Sequence, residues 1–190
     1  MVKSKSLLPL SLCAALVLSA CATAPDPLPE KLSTPDEFMD ESVQELYKDV
    51  QQVYKTEYFA LGIPAGWSVV SFKDQPLASS ISVTRDDRSA LVTIRVTKAS
   101  TPTIEESCQH AADGFAANGL EFTTEPEVRY GTCTINATEN ERDVVLWLRE
   151  YPDDRSAYSI TYKGDLATVG ELLTYLVGNE KIMQLMVQPL

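Results

Sequence analysis

Two pairs of aspartates are the first residues here whose type and spacing could do chemistry. Asp86-Asp87-Arg88-Ser89-Ala90 recurs as Asp153-Asp154-Arg155-Ser156-Ala157. Paired carboxylates can hold a hard cation such as Ca²⁺ or meet a basic partner. They can also serve as acid and base around a glycosidic bond. Asp and Ser recur in hairpin turns for a simpler reason, because their side chains hydrogen-bond nearby main chain. Turn chemistry is the expectation, with each arginine compensating its own aspartates. His110 is the single histidine. It lies two residues, or about 200° of helix, from Cys108, so it should face solvent if Cys108 faces a core. Proton transfer usually relies on a histidine set beside a nucleophile or carboxylate. The sequence shows no such constellation, nucleophile elbow, phosphate-binding glycine loop or metal-ligand helix. No catalytic residue, metal ligand or cofactor is assigned.

The N-terminus carries a different kind of signal. Lys3 and Lys5 precede an apolar run over residues 7–20 that Pro9 and two serines interrupt. A positive start followed by a short apolar run is the pattern of an export signal. A membrane-spanning helix needs about 20 apolar residues, and this run is shorter and broken. It ends Leu18-Ser19-Ala20-Cys21, which resembles the bacterial lipobox. The resemblance implies removal of residues 1–20, acylation of Cys21 and attachment to a membrane through acyl groups, each buried CH₂ contributing about 0.8 kcal/mol. The alternative is an ordinary secretory signal cut near Ala20. Ala22, where enteric-type sorting reads an aspartate as retention, implies the outer membrane, facing the periplasm.

Of four cysteines, Cys13 leaves with the signal and Cys21 carries lipid, so Cys108 and Cys133 remain. Exported proteins fold where disulfides persist, and one bridge between these two is expected. Two free thiols, half of a metal site or a redox pair are the alternatives. Zinc wants about four ligands at recognisable spacing, and the redox motif wants Cys-x-x-Cys. The bridge would pin a helix to a strand and contribute about 3 kcal/mol on the chain-entropy account. Losing Lys3 and Lys5 would take the net charge from −11 to −13. Nucleic-acid binding rests on Lys and Arg contacts to phosphate, so this balance argues against it. It argues equally against electrostatic attachment to anionic lipid. Asn136-Ala137-Thr138 matches the glycosylation pattern but is read as coincidence in a bacterial chain.

The elements that must position these residues follow from periodicity. Residues 21–33 hold three prolines and little apolar character, as a tether would. Thr34, Pro35 and Glu37 open a helix. Met39, Val43, Leu46, Val50 and Val53 give it a stripe at spacings of three and four, so it is expected to run over residues 34–55. Strands are expected over 58–63, 67–72, 80–84 and 91–97. In the last of these Val92, Ile94 and Val96 alternate with Leu91, Thr93, Arg95 and Thr97. Thr103 and Glu106 form a capping box for a second helix, with Ile104, Cys108, Ala111 and Phe115 on its stripe and Asn118-Gly119 as its stop. Strands over 127–136, 142–151 and 157–163 come next. A helix from Leu166 through Leu176 follows, and then a helical rather than extended tail near Ile182. Strands in consecutive runs separated by helices indicate one α+β domain over residues 34–190, an antiparallel sheet flanked by helices.

That order, together with Ile63-Pro64-Ala65-Gly66-Trp67, resembles the PsbP-like fold that DcrB-like bacterial lipoproteins share. The resemblance spans about residues 56–188, and its sharp motif is those five residues. Proline sets one φ angle, glycine allows the tight turn, and tryptophan buries a large surface at the start of the next strand. The resemblance implies a sandwich that binds or assembles rather than catalyses, though a fold alone does not name a task. The expected role is a lipid-anchored cell-envelope module acting on another envelope protein. Two other classes compete with it. A small-ligand carrier would need an apolar pocket around Trp67 and Trp147, between sheet and final helix. A hydrolase would need Asp86 or Asp87 to face Asp153 or Asp154 across a cleft.

Overall fold

The computed structural model describes residues 47–48, 50–98 and 102–186. Cys21, the lipobox, the tether and the start of the expected first helix lie outside them.

Strand β5 (Leu91–Lys98) shows how the sheet forms. Val92, Ile94 and Val96 are buried, while Leu91 and Arg95 are exposed on the opposite face. β-Branched side chains at a period of two favour a pleated strand with one buried face. Its neighbours repeat the pattern. β3 (Trp67–Gln75), β4 (Ala78–Arg85), β8 (Thr132–Glu139), β9 (Arg142–Tyr151) and β10 (Ser156–Lys163) join it in one sheet with the short β6 (Glu121–Phe122). The spatial order is β3-β4-β5-β10-β9-β8-β6, and β7 (Glu127–Arg129) also pairs with β8. Every pairing is antiparallel. A smaller sheet holds β1 (Val50–Lys55), β2 (Phe59–Pro64) and β11 (Leu176–Gly178), with β2 in the middle. Three helices complete the described fold: α1 (Ile104–Ala117), α2 (Leu166–Leu173) and α3 (Glu180–Met186). The architecture is α+β and mostly antiparallel sheet. Among the described residues no helix is long and apolar enough to cross a membrane.

The inner face of the large sheet forms the main core. Ile81, Val83, Val92, Ile94, Val96, Ile160 and Tyr158 pack there against Leu61 of the small sheet and against Leu172, Ile182 and Leu185 of the helices. A second, smaller core lies on the outer face, where Cys133, Ile135 and Leu146 meet Cys108 and Ala112 of α1. Strand β9 therefore buries both faces. Val144, Val145, Leu146 and Trp147 are all buried in succession, the run expected of a strand covered on both sides. The helix is capped as its sequence requires. Thr103 Oγ1 accepts from the Glu106 amide at 3.2 Å, and Glu106 Oε2 accepts from the Thr103 amide at 2.9 Å. Cys108 and Cys133 are joined by a disulfide across 25 residues.

Three expectations need correction. Residues 50–55 form strand β1, not the end of a helix. The pairing of β1 with β2 slips between Val50 and Gln52. That bulge inserts one residue, so Val50 and Val53 fall on one face although they are three apart. A bulged strand thus imitated helical spacing, and Val50, Val53 and Tyr54 all favour extended structure. Residues 127–136 are split by a two-residue turn at Tyr130-Gly131, both with positive φ, which makes a hairpin of β7 and β8. Leu176 lies in β11, paired with Leu61, and not in the preceding helix. The helical tail is α3.

The Ile63-Pro64-Ala65-Gly66-Trp67 segment is the corner where the chain leaves the small sheet and enters the large one. Gly66 has φ +84°, and its carbonyl accepts from the Asp86 amide at 2.9 Å. Trp67 is buried just beyond it.

Two stability measurements check this account. Cys108→Ala with Cys133→Ala should lower the unfolding free energy by about 3 kcal/mol, read from the denaturant midpoint. Reduced wild-type protein should match that variant. Gly114 and Gly170 sit inside helices with open space where a Cβ would stand. Alanine at either position should stabilise by about 0.5–1 kcal/mol, and a loss of stability would contradict the open surroundings.

Candidate functional site

The β5–β10 register places the two aspartate pairs. Leu91 pairs with Lys163 at one end and Lys98 with Ser156 at the other. The turn at residues 86–90 leads into Leu91, and the turn at 152–155 leads into Ser156. Seven residue steps at about 3.4 Å separate the ends by about 24 Å. Acid pairs in glycosidases stand about 5–10 Å apart, so these four carboxylates do not share a cleft. Among the described residues no group of three His, Cys, Asp or Glu side chains is placed to hold a metal ion.

Both turns use one local device. Ser89 donates its amide (2.9 Å) and hydroxyl (2.6 Å) to Asp87, and the Ser156 hydroxyl donates to Asp154 at 2.5 Å. Arg88 and Arg155 each sit between Asp and Ser with φ of 60° and 53°. The repeat is turn chemistry, as expected. Compensation by the repeated arginines is not what the structure shows. Asp87 meets Arg85, and Asp154 meets Lys98 and Lys181. Asp86 accepts from the Ser68 hydroxyl at 2.6 Å, tying its turn to the corner. Asp153 is exposed.

Asp154 is the hub of a latch that holds α3. Lys98 Nζ lies 3.2 Å from Asp154 Oδ2, and Lys181 Nζ donates to the same oxygen. Each lysine also stands over a ring, Lys181 at 4.8 Å from Tyr151 and Lys98 at 5.4 Å from Tyr58. The Tyr151 hydroxyl lies 3.0 Å from the Lys181 carbonyl and 2.8 Å from Gln184 Oε1. Partial desolvation raises the Asp154 carboxyl, but hydrogen bonds from Lys181, Ser156 and Lys98 outweigh it and hold it well below the usual carboxylate range.

Trp67 and Trp147 both belong to the main core. The space between sheet and helices is filled by fully buried side chains such as Ile160, Leu172 and Leu185. A pocket of about 460 Å³ does reach Trp67, but from the side of β1 and β3, lined partly by Gln51, Gln52 and Ser68.

A groove lies on the outer face, along the edge of α1. It encloses about 410 Å³. One wall is Ser107 and His110 of α1, and the other is Arg95 and Thr97 of β5. Ala157, Ser159, Leu148 and Glu150 form the floor and one end. The floor is open because Ala157 and Ser159 are short. Ser107 donates to Glu150 Oε1 at 2.6 Å. Beyond the groove the outer face carries Ser80, Ser82, Thr93 and Thr161, half-buried and hydroxyl-bearing, with Ser82 and Thr93 3.0 Å apart. His110 is exposed as expected, though at the groove rim. Arg95 and Glu150 did not stand out as site residues in the sequence. The signal that could have found Arg95 is its position, a lone cation in the polar register of a strand whose other members there include two threonines.

Comparison with known proteins adds little. No family model matches this chain, and no curated protein sequence matches it. A crystal structure from Bacteroides thetaiotaomicron VPI-5482 is similar at 13% identity and a TM-score of 0.33, covering 65% of this chain. This chain spans 46% of that protein's length. At that level the likeness carries no functional argument.

The latch is testable by pH. A carboxyl lowered in the folded state stabilises above its ordinary value of 3.8, and that stability is lost as pH falls through the lower folded value. Asp154→Asn should therefore be less stable than wild type at about pH 6. The gap should close as pH falls below 3.8. Denaturant midpoints across that range measure it, and parallel curves would refute the latch.

Proposed function

We propose that this chain is a lipid-anchored cell-envelope protein whose domain is a non-catalytic binding or assembly module. The observation that carries the binding half is the outer face of the large sheet. Helix α1 packs on β7, β8 and β9, and the hydroxyl-bearing remainder stays open to a partner. Closed cores on either side of the sheet leave that face as the surface on which the domain can act.

The anchor half rests on Leu18-Ser19-Ala20-Cys21 and its resemblance to the lipobox, with membrane attachment through acyl groups at Cys21. Placement on the outer membrane, facing the periplasm, follows from the same segment. The disulfide supports an oxidising compartment independently of the N-terminus, because such bridges persist outside the reducing cytosol. The PsbP-like reading draws support from the corner at Trp67 and from the strand–helix order after it. The partner is another envelope protein, and the acidic charge argues against nucleic acid.

Metabolic labelling with a fatty-acid analogue tests the anchor. Wild type should be labelled and sediment with membranes. Cys21→Ser should lose the label and appear in the soluble fraction. An unlabelled wild type that fractionates like Cys21→Ser would remove the basis of the localisation.

A further inference from the structure

We propose that the groove between α1 and β5 binds a short peptide with free ends, its carboxylate on Arg95 and its ammonium group at Glu150. The proposal deepens the binding-module reading and rests on it.

Arg95 is a cation that the fold leaves without a carboxylate partner in this groove. Among the described residues several basic side chains are committed, Arg85 to Asp87 and Glu171, Lys163 to Glu139, and Lys98 and Lys181 to Asp154, and of the rest Arg95 is the one that lines this groove. Arg95 has no carboxylate partner among the described residues, although it stands mid-strand in a chain of net charge −11. Its cross-strand neighbours are Ser80 and Ser159. No acid faces it from the strands on either side. A guanidinium exposed on a rigid strand presents a planar fork of donors suited to a carboxylate.

Glu150 closes the other end. The Ser107 hydroxyl occupies Oε1, which fixes the carboxylate and leaves Oε2 to accept from a ligand. Between the two charges the floor is Ala157 and Ser159, with Leu148 beside them. This sequence of donor, floor of small side chains and acceptor suits a zwitterion with a modest body.

The spacing selects the length. Arg95 pairs with Ser159, and Glu150 pairs with Ala157. The two Cα atoms are therefore two strands apart and two residues along, about 12 Å. A free amino acid is too short to bridge that distance. An extended chain of two or three residues, at about 3.5 Å each, fits.

Isothermal titration of the full chain in detergent with trialanine tests this. Saturable binding is expected. Amidation of the peptide carboxylate should weaken it about tenfold or more, and so should Arg95→Gln. N-acetylation and Glu150→Gln should each weaken it likewise. Arg149→Gln, on the opposite side of the sheet, should bind as wild type does. Both Arg95 and Glu150 lie outside the cores, so the variants should fold, and circular dichroism checks that. No saturable binding would overturn the proposal, as would equal affinity for trialanine and its amide. Equal affinity for the N-acetylated peptide would overturn the zwitterion assignment and point to a protein C-terminus. Fatty-acid labelling is independent of all these arms. A labelled protein that binds no peptide refutes the groove alone, and an unlabelled one that binds refutes the anchor alone.

Discussion

The large sheet has two faces to cover and one helix for the outer one. That shortage governs the rest of the structure. On the inner face the small sheet, α2 and α3 cover the strands from β4 to β9. On the outer face α1 reaches β7, β8 and β9, and the larger buried apolar residues of that face lie where it reaches, while Leu91 of β5 stands exposed beyond it. Leu146, Ile135 and Cys133 lie beneath the helix. Ser159, Thr93 and Ser82 lie beyond it. A sheet face exposed to water must be polar or be paired with a partner, and this one is polar with an arginine set in it. The groove is the boundary between the two regimes, where helix packing stops and short side chains begin.

Charge follows the same division. Cations at the ends of the strands are spent on the fold. Lys98 and Lys181 converge on Asp154 and fasten α3, and Arg85 holds the first Asp-Asp turn near α2 through Glu171. Such exposed pairs contribute little one at a time, but Asp154 joins two lysines and two aromatic rings in one network. Arg95, in the middle of a strand and far from either turn, takes no part in that work. Position on the sheet, more than residue type, separates the cations that fasten the turns from Arg95.

Local periodicity made much of this legible. The alternation in β5, the capping box at Thr103 and the turn at Asn118-Gly119 could all be read from neighbouring residues, while the bridge between Cys108 and Cys133, 25 residues apart, followed from counting cysteines. Misreadings arose where tertiary contacts overrode local spacing. The bulge at Val50 turned a strand into an apparent helical stripe. The Tyr130-Gly131 turn escaped notice because only one of its two residues is a glycine. Leu176 has the spacing of the helix before it and was claimed by the edge of β2. The same limit applies to sites. The Asp-Asp-Arg-Ser repeat showed its local turn chemistry, yet its cationic partners sit 56 and 27 residues from Asp154. Arg95 and Glu150 are likewise brought to one groove only by the pairing of three strands.

One wall of that groove depends on a covalent bond. The apolar residues by which α1 packs are few and mostly small, with Ala111, Ala112 and Cys108 near the centre and Ile104 and Phe115 at the ends. Small side chains bury little area, so packing alone holds the helix weakly. The disulfide supplies the remaining constraint on where Ser107 and His110 stand relative to Arg95. Ser107 in turn fixes Glu150. The recognition geometry therefore presupposes a compartment in which that bridge survives. This requirement comes from the folded domain alone and is independent of the proposed N-terminal signal.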